Sequence, residues 1–100
     1  MRYELVYAPS ALDDIRRLPK AHHSAIRDGV ERFLRYKPTK ESKSRIKRLR
    51  ELRQPQYRLR LDEYRVYYDV REGAVEVLGV VPKGYQDAWL SEHGIREEML

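Results

Sequence analysis

Apolar and polar residues alternate at the start of the chain, with Tyr3, Leu5 and Tyr7 on one side and Glu4 and Val6 on the other, so residues 2–8 predict a strand. Leu12, Ile15 and Leu18 then recur every three residues, a helical stripe that Pro19 stops. Ser10 followed by Asp13 predicts an N-cap with an acidic partner. A second helix is predicted from Ala21 to Tyr36, because Ile26, Val30, Phe33 and Leu34 keep the i, i+4, i+7, i+8 spacing of a buried face. Pro38 ends it, and the polar run to Ser44 reads as a loop. Ile46 to Arg53 fits a helix turn or a short irregular strand equally well. Beyond Pro55, Tyr57, Leu59 and Leu61 alternate with Arg58 and Arg60, and Tyr64, Val66, Tyr68 and Val70 alternate with Arg65, Tyr67 and Asp69. These are two strands joined through Asp62-Glu63 as a tight hairpin. Val75 to Val81 is almost continuously apolar and predicts a central strand, entered through a turn at Glu72-Gly73 and ended by Pro82-Lys83-Gly84. Tyr85 to His93 reads as a last short helix with Ala88 and Trp89 among its inward candidates and Gly94 as its stop.

A two-residue turn at Asp62-Glu63 fixes the hairpin register. It sets Leu61 across from Tyr64, Arg60 from Arg65, Leu59 from Val66, Arg58 from Tyr67 and Tyr57 from Tyr68. One face is then Tyr57, Leu59, Leu61, Tyr64, Val66 and Tyr68, which should pack on the helix hairpin. The other is Arg58, Arg60, Arg65 and Tyr67, left open to solvent or ligand. Like charges directly opposite each other on a sheet cost roughly 0.2–1 kcal/mol, so stability alone does not select Arg60 beside Arg65. The set reads as an anion site in which guanidinium groups converge on a phosphate. The alternative is a solvated strand face whose arginines pair with Asp62, Glu63 or Asp69. Tyr67, among the arginines, is placed to stack on a base, whereas Tyr57, Tyr64 and Tyr68 are packing residues. Tyr85 serves either packing or function.

With 100 residues the chain makes one domain, taken as residues 1–94, followed by a tail at 95–100 whose Ile95, Met99 and Leu100 could help to bind a partner. There is no cysteine, which excludes disulfides and thiol-based zinc sites, and His22, His23 and His93 lack the spacing of metal ligands. No metal or cofactor is expected. No apolar stretch spans a membrane and no signal peptide is visible, so a cytoplasmic protein without a membrane partner is expected. The net charge of +5 is concentrated, because residues 35–65 carry 12 basic and 4 acidic side chains. Such a block points to a polyanion, most simply nucleic acid. Within it, Lys47, Arg48, Arg50 and Arg53 are candidates for RNA phosphate contacts or, equally, a solvated basic loop.

Tyr57-Arg58-Leu59-Arg60-Leu61, then Tyr64-Arg65-Val66-Tyr67-Tyr68-Asp69-Val70, then the apolar strand ending in Lys83, preceded by the opening strand and two helices, resemble the RelE/ParE superfamily. These are the toxins of type II toxin–antitoxin pairs, and the resemblance covers about residues 2–92, most like the RelE branch. It implies an α+β fold of order β-α-α-β-β-β-α: a small antiparallel-rich sheet, a two-helix hairpin on one face and a short C-terminal helix. It implies a ribosome-dependent endoribonuclease that cleaves mRNA without metal, by attack of a ribose 2′-hydroxyl on the adjacent phosphate. Arg58, Arg60 and Arg65 match the branch's basic hairpin positions and would neutralise the phosphate as charge grows on it. Lys83 matches a further basic position. RelE proteins carry lysine at the first two positions, whereas arginine stays protonated and is a poor base. The position after Lys83, commonly arginine, is Gly84, and Tyr85 is the nearest counterpart of a C-terminal tyrosine. Proton transfer therefore falls to Lys83, Tyr85 or the ribosome. The implied partners are a cognate antitoxin, in a toxin–antitoxin hetero-oligomer, and the ribosome with its mRNA. Competing readings are a ParE-like inhibitor of DNA gyrase and a non-catalytic RNA-binding or decayed toxin.

Overall fold

The computed structural model describes residues 1–97. The chain runs through β1 (Glu4–Tyr7), α1 (Pro9–Arg17), a 3-10 turn (Lys20–His22) and α2 (His23–Leu34). It continues through β2 (Ile46–Arg48), β3 (Leu52–Gln54), β4 (Tyr57–Leu61), β5 (Tyr64–Arg71) and β6 (Ala74–Pro82). A second 3-10 turn (Lys83–Tyr85), α3 (Gln86–His93) and β7 (Ile95–Arg96) complete it. The main sheet has the order β1-β6-β5-β4-β2, with β1 parallel to β6 and every other pair antiparallel. β3 and β7 pair in a separate antiparallel ribbon. This is the α+β, mostly antiparallel arrangement that the sequence implies.

The hairpin register matches the expected one pair for pair, from Leu61↔Tyr64 to Tyr57↔Tyr68. Asp62 reaches φ 49° to close that turn, and Gly73 takes φ 73° at the next, a conformation without cost for glycine. The ambiguous 46–53 segment is strand, not helix: Ile46 pairs with Leu59 and enters the core, while Leu52 begins the ribbon. Because β7 pairs with β3, Ile95 and Arg96 belong to the folded unit rather than to a tail; Met99 and Leu100 lie outside the described residues. The apolar β6 is internal, between β1 and β5, but the middle strand is β5.

Ser10 is not an N-cap. Helix α1 starts one residue earlier on Pro9, whose missing N–H costs nothing in the first turn. Ser10 instead donates from Oγ to the carbonyl of Leu78 at 2.8 Å, and the Asp14 carboxylate, one turn on, accepts from the amide of Val80 at 3.0 Å. Strand β1 pairs only as far as Val77, so these two side chains satisfy backbone groups of β6 beyond the end of its partner.

Helices α1 and α2 cover one face of the sheet. Ala11 and Ile15 from the first, and Ile26, Val30 and Leu34 from the second, pack on Ile46, Leu59, Leu61, Val66, Tyr68, Val75, Val77 and Val80. Burying one such large apolar side chain stabilises the fold by roughly 1.5–3 kcal/mol. Tyr68 is fully buried there and donates its hydroxyl to the Pro38 carbonyl at 2.7 Å. The opposite face is not left open as the sequence suggested. Helix α3 lies on it, and Tyr67, Val81 and Trp89 form a second, smaller core with Leu49, Leu78 and Leu90 at its margin. Ala88, expected inside, is exposed, because only Trp89 of that pair points at the sheet. A bulge between Tyr67 and Tyr68 makes the two cores compatible. The extra residue, Leu78, joins the second core while Val77 and Val80 remain in the first.

Candidate anion-binding site

Strands β4 and β5 bring Arg58, Arg60 and Arg65 to the α3 side of the sheet, and Lys47 joins them as the cross-strand partner of Arg58 on β2. Arg60 is exposed, Arg58 half-buried, and Arg65 only 7% exposed. Arg65 is held in place by its own turn: Nη1 donates to the carbonyls of Asp62 and Tyr64, each at 2.9 Å. Burial pulls its pKa down and the positive charges of Arg60 and Arg58 add to that shift, yet a guanidinium so perturbed remains a cation at neutral pH. Two of the carboxylates that could have neutralised the set are engaged elsewhere, and Asp62 forms no ion pair with it among the described residues. Asp69 accepts from the Gln54 side chain at 2.7 Å and the Gln56 amide at 2.8 Å, and Glu63 pairs with Lys83 at 3.3 Å. Among the described residues, none of the three arginines forms an ion pair, whereas Arg16, Arg35, Arg50 and Arg71 all do.

Tyr67 lies across from Arg58, but its ring is not an open platform for a base. The indole of Trp89 stacks on it at 4.6 Å and 7°, and the residue is fully buried. Gly79, the partner of Tyr67 on β6, makes this stack possible, since any Cβ there would overlap the indole. A glycine inside an apolar strand was the sequence signal for a bulky ring packed above it. Burial raises the pKa of Tyr67 to about 12, with Arg58 and Arg65 opposing that rise and Asp87, in the first turn of α3, adding to it. Asp87 thus brings a carboxylate near the site that the sequence reading did not single out.

The other basic candidates do not share one surface. Lys47 is exposed on the arginine side. Arg48, the next residue in the strand, faces the other way, with its guanidinium over the Tyr57 ring at 5.1 Å. Arg50 is paired with Glu41 through two contacts of 3.1 and 2.7 Å, and Arg53 is exposed on the β3–β7 ribbon. Lys47, Arg48 and Arg50 do line one open cleft of about 600 Å³, together with Asp87, Leu90, Ser91 and Arg96. Lys83 sits beside the arginine row, its amide donating to the Glu63 carbonyl at 2.8 Å. Tyr85 is not brought to the arginines: it is 64% exposed and lines a cleft between α1 and α3 with Asp13, Asp14 and His93.

A family model described as the ParE toxin of the type II toxin–antitoxin system, parDE, matches residues 5–84. The chain belongs to the RelE/ParE superfamily of type II toxins. Among solved structures, the toxin is 30% identical to a chain of the archaeal RelE–RelB complex from Pyrococcus horikoshii OT3, with a TM-score of 0.60, over 84% of the toxin and 98% of that chain. The RelBE2 toxin–antitoxin complex from Mycobacterium tuberculosis matches with a TM-score of 0.71 at 21% identity, over 83% of the toxin and 100% of its own chain. The RelB–RelE complex from Methanococcus jannaschii gives 0.63 at 17%, over 84% and 96%. These last two share the fold. No curated protein sequence is significantly similar. All three arginines and Lys83 fall within the span matched by the family model, whereas Asp87 and Trp89 lie beyond it.

Proposed function

We propose that the toxin is a ribosome-dependent endoribonuclease that stops translation by cleaving mRNA. The observation that carries this reading is the cluster of Arg58, Arg60 and Arg65, gathered on one sheet face and without a carboxylate partner among the described residues. Three like charges held together repel one another until an anion joins them, and a phosphate undergoing attack carries the most charge in its transition state. In the reaction the ribose 2′-oxygen forms a bond to phosphorus and gives up its proton, while the bond from phosphorus to the 5′-oxygen breaks and that oxygen takes a proton. The arginines stabilise the charge on the phosphoryl oxygens between these events. They stay protonated and so cannot accept the proton, a task left to Lys83, freed from Glu63 and in its neutral form, or to a ribosomal group. Lys47 extends the positive charge on the arginine side, and Arg53 adds an exposed charge on the β3–β7 ribbon. Because the similar structures are toxin–antitoxin complexes, an antitoxin is the natural protein partner, and it would cover this surface.

Ribosomes programmed with a defined mRNA test the reading. The wild-type toxin is expected to create new 5′ ends, and Arg65→Ala to slow their appearance by roughly 10²–10³-fold, the effect of losing one transition-state donor. No new ends, or equal cleavage by the variant, rejects it. A second reading has one observation in its favour: the matching family model is that of ParE toxins. It expects inhibition of gyrase supercoiling with intact mRNA, so the same protein preparation separates the two.

A further inference from the structure

Two consecutive tyrosines of β5 are fully buried, and their hydroxyls differ. Tyr68 donates to the Pro38 carbonyl, the ordinary state of a structural buried tyrosine. The Tyr67 hydroxyl has no hydrogen-bond partner among the described residues, and neither does the buried Nε of Arg58, its cross-strand neighbour. Two donors side by side on adjacent strands thus lack an acceptor. Phenylalanine would stack on Trp89 equally well, so packing does not account for the hydroxyl. We propose that Tyr67 is a further substrate contact of the arginine site: its hydroxyl and Arg58 Nε grip a phosphate oxygen on the side covered by α3. This rests on the reading of the arginines as a phosphate site and adds to them an uncharged donor. Burial keeps the hydroxyl protonated to about pH 12, so it gives a hydrogen bond and does not act as a base. Arg58 and Arg65, and Asp87 in the first turn of α3, all act on it electrostatically. Access of an oxygen to the hydroxyl requires α3, with its Trp89 indole, to move off the sheet.

Binding of a 2′-O-methyl RNA trinucleotide, which resists cleavage, tests this by NMR titration of the full chain, with thermal unfolding measured in parallel. Tyr67→Phe is expected to weaken binding roughly tenfold, the scale of one hydrogen bond to a charged group. It should unfold at the wild-type temperature or higher, because an unpartnered buried hydroxyl is removed. Tyr36→Phe, at an exposed position, controls for the loss of any hydroxyl. Binding unchanged in Tyr67→Phe but weakened in Arg65→Ala overturns the role of Tyr67 and leaves the phosphate site standing. A lower unfolding temperature for Tyr67→Phe also overturns it, since the hydroxyl would then have an internal partner. Failure of wild type to bind, or indifference to Arg65→Ala, overturns the phosphate site itself and the Tyr67 contact with it.

Discussion

Gly79 is the residue on which the second face of the sheet depends. Its missing side chain leaves the space that the Trp89 indole fills, and that indole is confined between the Tyr67 ring and His93 at 4.9 Å. A rigid ring with neighbours on both sides cannot step aside alone, so a methyl group at Gly79 must push α3 away from β6. Gly79→Ala is therefore expected to destabilise the protein by about 1–3 kcal/mol, the usual cost of overpacking, and to move the emission of the single tryptophan to longer wavelength. Unchanged emission and melting would show that the helix has slack that the geometry does not suggest. Gly94 acts differently. Its backbone is extended, so it is not a left-handed helix stop, and what it provides is room: a Cβ there would lie 2.5 Å from the Leu90 carbonyl oxygen.

Among the elements, the loop after α2 is tied to β2 and the turn after it through the Glu41 carboxylate. Glu41 accepts from both terminal nitrogens of Arg50 and from the Arg48 amide at 3.0 Å. These contacts, the Arg50 hydrogen bonds foremost, hold the Glu41 carboxyl at a pKa of about 2, below its ordinary 4.5. The ionised form is favoured by folding, so this contribution is complete above pH 4.5 and disappears as the pH falls towards 2. Melting curves of wild type and Glu41→Gln should differ near neutrality and converge at the acid end, by a small margin because the pair is exposed and screened by salt. A constant difference at every pH would locate the effect elsewhere. The β4–β5 hairpin could be read from sequence to the residue, because period-two alternation and a two-residue turn leave one register. The placement of α3 could not. Only Trp89 of its eight residues is buried, which leaves no stripe to read, and its partner surface includes a bulge that alternation does not announce. For the same reason the arginine face looked open when Tyr67 and Arg65 on it are covered.

Across the whole molecule, the positive block at 35–65 separates into charges that are free and charges already answered. Lys47 and Arg53 are exposed without an ion pair among the described residues, whereas the charge of Arg50 is met by Glu41. Reversing Lys47 and Arg53 together should weaken ribosome binding and reduce the log–log salt slope by about one to two, while Arg50→Glu does less. Filter binding over a salt series measures this, and equal slopes for all variants would remove these residues from the interface. The sheet order has a consequence in time as well as in space. The first strand of the chain pairs with none of the strands that follow it until β6, with Glu4 matched to Ala74 and Tyr7 to Val77. A chain made from its N-terminus therefore carries β1 unpaired until Ala74 to Val77 of β6 have been made, and the sheet closes on that side only then. A toxin stopped short of β6 has the arginines of β4 and β5 on their hairpin but lacks the one strand that joins β5 to β1.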